Sequence, residues 1–397
     1  MTEATILRAL LTEQGQQALF AAAAAEPDEA SFLPLFQRLS KSFPRELARS
    51  AIEQVLLRKK ALKKFPHAES MFFLREALEQ ASSQQIAAWR SRRFAESTLV
   101  FDMGCGIGGD ALELALVARV LAVDRDRERL RVLQLNAEQL GRDGQLHCIQ
   151  ADVTSLPAAP PEGSTFFFDP ARRIDGRRVH HVHAYQPNLS SIPVWLRHMQ
   201  GGGIKVSPAV RLKELEAIDC EVEFISLGRQ LKEAVLWVGV LKSAERRATI
   251  LPERVSLVDS AHYPAEVSEA QAFLYEPDPA ILRAGLVRSL GRKLGLRQLD
   301  ATISLLTGPE RVDSPFVRRY SLHAVLPNGF KKLRAELRNR GIGTVTIKKR
   351  GSAVDVEEYR RKLRAEGEGE GTILLTRVQG RKVALLVSLD ETGTGCL

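Results

Sequence analysis

Cysteine is scarce. The four cysteines in 397 residues, Cys105, Cys148, Cys220 and Cys396, fall at no paired spacing. That excludes a disulfide framework and a paired-cysteine zinc site, and it fits a reducing compartment, the cytoplasm. Long apolar runs are also missing. The most apolar early stretch, Ala18 to Ala25, is far short of the roughly 20 residues that span a bilayer. The first residues carry Glu3 and Glu13 and lack a basic start before an apolar core, so no signal peptide is expected. With 44% hydrophobic and 26% charged residues the composition is that of globular domains, which excludes wholesale disorder. At about 150 residues per domain, the length points to two or three of them.

Charge is present in excess, and it is unevenly placed. Up to Val240 there are 30 basic and 29 acidic residues; beyond it there are 27 and 19. Within Arg318 to Arg364 the count is 14 basic against 4 acidic. A domain with that bias attracts polyanions, of which nucleic acid is the commonest in cytoplasm, although a solvated basic face gives the same composition.

Three segments follow from the periodicities. Residues 1–96 read as a helical domain, with Ile6, Leu10 and Leu11, then Ile52, Val55 and Leu56, at helical spacing. Pro27, Pro34, Pro44 and Pro66 mark its helix boundaries. Its basic cluster, Arg58-Lys59-Lys60 and Lys63-Lys64, is either a solvated helix face or part of an RNA track. Residues 97–245 alternate short apolar runs with helical stretches, which predicts a doubly wound α/β domain with a parallel sheet. The predicted strands begin at Leu99, Val120, His147, Thr165 and Ile204. Val222–Leu227 and Ala234–Val240 are separated by too few residues for a crossover helix, so they are predicted to pair antiparallel. Residues 246–397 read as a basic α+β domain. There Asp278 and Pro279 open one helix to Leu294, and Gln379-Gly380 turns a hairpin. Gly367 to Gly371 is predicted to be a flexible loop.

The richest local signal is Asp102-Met103-Gly104-Cys105-Gly106-Ile107-Gly108-Gly109-Asp110, placed between a strand and a helix. Glycines there permit a tight turn and the approach of a ligand to bare backbone. The G-x-G-x-G spacing is not the dinucleotide G-x-G-x-x-G. Acids recur at successive strand ends, Asp102, Asp124 and Asp152, and so line one crevice at the carboxyl edge of the sheet. Gly109 suits close helix packing as well as ligand binding.

Asp102-x-Gly104-x-Gly106-x-Gly108, Val123-Asp124, Ala151-Asp152 and Phe168-Asp169-Pro170, in that order, resemble a class I S-adenosylmethionine-dependent methyltransferase over about Glu96 to Val240. The resemblance implies a seven-stranded Rossmann-like sheet with an antiparallel last strand and S-adenosyl-L-methionine as cofactor. It implies that Gly104, Cys105, Gly106 and Gly108 pass along the methionine part and that Asp102 orients it. Asp124, with Arg125 beside it, would hold the ribose hydroxyls; Asp152 and Val153 would meet the adenine. Asp169 and Pro170 stand where the family holds the acceptor amino group, with Arg172 beside them, and a carboxylate there stabilises developing positive charge on nitrogen. Ala171 and Arg172 replace the second proline and the aromatic of that motif, so base stacking must come from elsewhere, with Tyr185 and Trp195 as candidates. No cysteine adjoins the motif, which argues against covalent attack on a pyrimidine ring carbon.

Arg173, Arg177 and Arg178 follow at the same rim and are expected to meet RNA phosphates. His180, His181 and His183 lack a nearby acid to complete a ligand set, so no metal site is expected. Over the whole chain, Lys63-Lys64-Phe65-Pro66, Leu78-Glu79-Gln80-Ala81, Lys232-Glu233-Ala234, Ser314-Pro315-Phe316 and Thr346 to Gly351 resemble bacterial methyltransferases with a THUMP-like C-terminal domain, whose catalytic part is similar to trimethylguanosine synthase. That resemblance implies RNA as partner, a tRNA or rRNA base as acceptor, and Lys348, Lys349 and Arg350 as phosphate contacts. Alternation along a strand would place Lys348 and Arg350 on one accessible face. Two other readings are a small-molecule or protein methyltransferase whose basic domain mediates oligomerisation, and a non-catalytic RNA-binding protein that keeps the pocket.

Overall fold

The computed structural model describes residues 3–390 apart from 171–172, 175–176, 179–184, 186–187 and 260–262. The chain forms two compact units, one of residues 1–221 and 233–243, the other of 222–232 and 244–397. The helical leader and the glycine-rich segment both fall within the first of these units.

The leader comprises α1 (Glu3–Ala9), α2 (Glu13–Ala23), α3 (Phe32–Leu39), α4 (Arg45–Ala61), α5 (Arg75–Gln80) and α6 (Gln84–Ser91). Helix α4 buries Leu47, Ala51, Ile52, Leu56 and Leu57 on one face, the stripe its spacing predicts. The extended segment Met71–Phe73 is pinned by two amides. Gln54 exchanges two hydrogen bonds with the Phe73 backbone (2.8 and 2.9 Å) and Asn136 two with Phe72 (3.0 and 2.7 Å). All four groups are buried, where unpaired amides are costly, so these bonds fix where the chain enters α5.

The first unit continues through β1 (Leu99–Met103), α7 (Ala111–Leu114), β2 (Arg119–Asp124), α8 (Arg127–Gln139), β3 (Leu146–Gln150), β4 (Ser164–Phe168), the two-residue strands β5 (Arg173–Ile174) and β6 (Arg177–Arg178), α9 (Ile192–Trp195) and β7 (Gly201–Val206). Strands β8 (Glu221–Leu227) and β9 (Gln230–Gly239) follow, separated by Gly228-Arg229. Among the described residues the sheet of the first unit runs β9-β7-β4-β1-β2-β3. Every pair in it is parallel except β9 with β7. This is the doubly wound order with an antiparallel last strand, and it puts the ends of β1, β2 and β4 beside one another at the carboxyl edge.

In the second unit β8 pairs parallel with β10 (Arg246–Leu251), which pairs antiparallel with β11 (Val255–Val258). The remainder is β12 (Phe273–Pro277), α10 (Pro279–Ala284), α11 (Val287–Leu294), β13 (Arg297–Gln298), β14 (Leu306–Gly308), β15 (Val317–Pro327), α12 (Phe330–Asn339), β16 (Ile342–Lys349), α13 (Val356–Leu363), β17 (Gly369–Val378) and β18 (Arg381–Leu389). Its sheet order is β13-β14-β12-β15-β18-β17-β16, with α12 and α13 packed on β16. Asp278 caps α10 as expected, but the predicted single helix stops at Gly285, which adopts a left-handed φ of 72°. Gly369 to Gly371 are not a loop; they open β17. Among the described residues no helix is long and apolar enough to cross a membrane.

Candidate functional site

The glycine-rich turn leaves β1 and is held down by its neighbour strand. Gly104 and Cys105 donate backbone N–H bonds to the Val123 carbonyl (2.8 and 3.2 Å). Asp124, ending β2, accepts from Gly106 N–H through Oδ2 and from Asp126 N–H through Oδ1, each at 2.9 Å. Gly104 and Gly106 have φ of 79° and 56°, and a Cβ on Gly106 would meet nothing within 4 Å. The turn thus presents bare backbone to a cleft of about 800 Å³ that is also lined by Asp102, Asp124, Arg125, Val153, Asp169 and Pro170.

Gly108, expected at the cofactor, also packs closely on α8. A Cβ there would stand 2.1 Å from the Leu133 Cδ1 of α8. The neighbouring Gly109 lines the cleft. Asp152, expected at the adenine, is held by its neighbours. Its Oδ1 accepts from the Thr154 N–H and hydroxyl (2.8 and 2.6 Å), and its Oδ2 pairs with Arg125 at 2.6 Å. These bonds hold its carboxyl below the usual range. The wall beside it is supplied by Val153 and Thr154.

Asp102 is 1% exposed, and its Oδ2 has no partner among the described residues. Burial first, then the charges of Asp110 and Asp169, push its carboxyl well above the ordinary range. Burial likewise raises the Cys105 thiol, and it pushes Cys148 up to about 11. Neither is a ready thiolate, in keeping with the argument against a covalent mechanism.

Another wall of the cleft is built around Asp169, which directly follows β4. Lys205, next to the last residue of buried β7, donates to Asp169 Oδ2 at 2.6 Å and to Ser82 Oγ at 2.9 Å. Ser82 in turn donates to Asp110 Oδ2 at 3.0 Å. Asp110 pairs with Arg90 of α6, which also pairs with Glu233 and stacks on Phe167. Burial opposes the Arg90 charge, but these two carboxylates hold it above an ordinary guanidinium.

Sequence reasoning misses Arg90, Ser82 and Lys205. The available signal is Lys205 itself, a lone cation in the apolar run Gly201–Val206, which physical chemistry obliges to have a partner. The leader also supplies the wall Ala77 to Ser82. Lys64 ties that wall down by donating to the carbonyls of Leu78, Glu79 and Ala81 (2.8 to 2.9 Å). Arg58 donates to Met71 O and Lys60 pairs with Glu29. Of the cluster expected to be a solvated face or an RNA track, Arg58 and Lys64 are thus spent on backbone carbonyls, while Lys59, Lys60 and Lys63 are exposed.

Both stacking candidates lie inside. Trp195 packs on Phe166 and Phe168 and donates to Val153 O at 3.2 Å. Tyr185 is 2% exposed and its hydroxyl accepts from Ser207 N–H. Arg172, Ala171 and the histidines at 180, 181 and 183 lie outside the described residues. Arg173 and Arg178 face each other in the β5–β6 pair, as do Ile174 and Arg177. In the second unit Lys348 is half-buried and donates to the Tyr320 hydroxyl at 2.8 Å. Arg350 pairs with Glu276, and Lys349 is exposed. The accessible face expected for Lys348 and Arg350 is therefore partly spent on bonds inside the unit.

These residues fit the nucleoside and amino-acid tail of S-adenosylmethionine. The glycine backbone leaves open space, Asp124 stands at the rim, and Asp102 keeps an unpaired buried oxygen beside the turn. Asp124→Ala removes the acceptor that fixes Gly106 and Asp126. It is expected to weaken S-adenosylhomocysteine binding at least about tenfold, since two charge-assisted bonds disappear. Calorimetry giving unchanged affinity would contradict the assignment.

Comparison with known proteins agrees with this geometry. Residues 97–221 match the family of RNA cap guanine-N2 methyltransferases, residues 317–388 a THUMP domain-like family, and residues 3–61 a domain of unknown function. A candidate methyltransferase of Porphyromonas gingivalis W83 has a similar fold, with a TM-score of 0.73 at 21% identity, covering 92% of this chain and all of that one. An uncharacterised S-adenosylmethionine-dependent methyltransferase of Mycobacterium tuberculosis H37Rv is 32% identical over 340 residues, 82% of this chain and 92% of that protein. With that identity over most of both chains, and the glycine turn and its acids set as such a cofactor requires, the chain belongs to the S-adenosylmethionine-dependent methyltransferases.

Proposed function

We propose that the acceptor is an amino nitrogen of a base in structured RNA, tRNA or rRNA, and that the enzyme works in the cytoplasm. The observation that carries this reading is Asp169-Pro170 lining the cofactor cleft, in a chain that also holds a strongly basic THUMP-like unit. The match of residues 97–221 to a guanine-N2 methyltransferase family supports an exocyclic nitrogen.

S-adenosylmethionine supplies a methyl group already activated on a sulfonium. The protein's task is therefore orientation and electrostatics. Asp169, with one oxygen held by Lys205, receives an N–H of the acceptor through the other. Pro170 shapes the rim. Arg172, Arg173, Arg177 and Arg178 reach phosphates around the entering nucleotide. Lys349, with Lys348 and Arg350 beside it and Lys331 and Lys332 on α12, tracks phosphates in the second unit.

RNA crosslinking separates this reading from a small-molecule or protein acceptor. The basic unit has its own test. Changing Lys331, Lys332 and Lys349 to Gln should lower RNA affinity and flatten its salt dependence by about 0.7–0.9 in log–log slope for each phosphate no longer neutralised. S-adenosylhomocysteine affinity should not change. A wild-type slope would remove this face from the RNA track.

A further inference from the structure

Lys205 is 5% exposed, in a strand whose every residue is buried. Such a cation costs stability unless it is paired, and its partners are the carboxylate Oδ2 of Asp169 and the Ser82 hydroxyl. Further charged groups belong to this cluster. Asp110 and Glu233 share the one positive charge of Arg90, Lys64 approaches from the leader, and Asp102 lies behind the turn. Asp169 lines the cleft along with Asp102, Asp110 and Asp124; its side chain is 25% exposed, and Lys205 is its countercharge.

A nitrogen takes a methyl group through its lone pair. An ammonium has none. An isolated carboxylate at the acceptor position would concentrate ammonium groups such as lysine side chains and polyamines, which are held tightly and cannot react until they lose a proton. The exocyclic amino group of a nucleobase is uncharged at neutral pH and offers N–H donors to a single carboxylate oxygen.

We propose that Lys205 is a specificity-determining residue: by occupying Oδ2 of Asp169 it leaves one oxygen for a neutral N–H and cancels the charge that would draw in a cationic amine. This rests on the reading that Asp169 faces the acceptor. It narrows the substrate to uncharged amino nitrogens.

The cofactor analogue sinefungin tests it without any acceptor, because it carries an ammonium on carbon where the cofactor carries its methylated sulfonium. Calorimetry gives its affinity relative to that of S-adenosylhomocysteine in each variant. Lys205→Met and Lys205→Gln should raise the preference for sinefungin on the order of tenfold, since the carboxylate loses its countercharge. Lys205→Arg should leave the preference within about threefold, because the positive charge stays. A residue that merely supported the fold would weaken both ligands together.

An unchanged or lowered preference in the Met and Gln variants overturns the proposal. So does loss of S-adenosylhomocysteine binding in both, which would make Lys205 a support of the cofactor turn. Asp169→Asn separates the two ideas. It should lower the preference for sinefungin; if the wild-type preference persists, Asp169 does not face the methyl position and the underlying reading falls. If Asp169→Asn moves the preference and the Lys205 variants do not, only the role of Lys205 falls.

Discussion

Asp169→Ala is expected to slow methyl transfer by at least about 10²–10³-fold, the loss typical of removing one preorganised electrostatic partner of the transition state. S-adenosylhomocysteine affinity should stay within a few-fold. The split follows from where the side chain sits. Its carboxylate opens on the cleft from the end of β4, while the glycine turn is fixed by bonds to Val123 and Asp124 that do not involve it. Asp169→Asn keeps the shape and one acceptor oxygen but loses the charge, so it should fall between alanine and wild type. Single-turnover transfer from labelled cofactor separates chemistry from binding. Near wild-type turnover in the alanine variant would remove Asp169 from the catalytic residues.

Arg90→Met is expected to cost about 3–5 kcal/mol of stability, the cost of stranding a buried ion-pair partner. Arg90 is 1% exposed and bridges Asp110 to Glu233, joining α6 to the start of α7 and to β9. Methionine fills much of its volume and can still pack on Phe167, so the loss reports charge more than cavity. Denaturant unfolding measures it directly. Adding Asp110→Asn and Glu233→Gln to Arg90→Met should restore much of the loss, because no uncompensated charge then remains. A loss below about 1 kcal/mol in Arg90→Met would show that the network is not holding the leader in place.

The features legible in the sequence are the ones written in local spacing. Strands β1 to β4 stand out as apolar runs, and the glycine-rich turn as a cluster of residues tolerant of positive φ. The close succession of β8 and β9 is legible because their link is too short for a crossover helix. Lys205, Ser82 and Arg90 are not, because their partners lie 36, 123 and 143 residues away along the chain and no spacing rule joins them. Gly108 carries a demand that is hidden for a related reason: it leaves room for Leu133 of α8, which no local spacing announces. Strand β10 is hidden because it begins with Arg246 and Arg247 and reads as a polar connection. The Lys348 to Arg350 run shows only its charge; its internal partners, Tyr320 and Glu276, come from strands that sequence distance hides.

The central claim, methyl transfer to an amino nitrogen of RNA, has one direct measurement. RNA from a strain lacking the gene is incubated with the purified enzyme and labelled S-adenosylmethionine, digested to nucleosides and resolved by mass spectrometry. The account predicts label in a single nucleoside methylated on an exocyclic nitrogen, present in RNA of the parent strain and missing from the deletion strain. Label confined to protein or small molecules, or to a ring carbon or ribose oxygen of RNA, would contradict it.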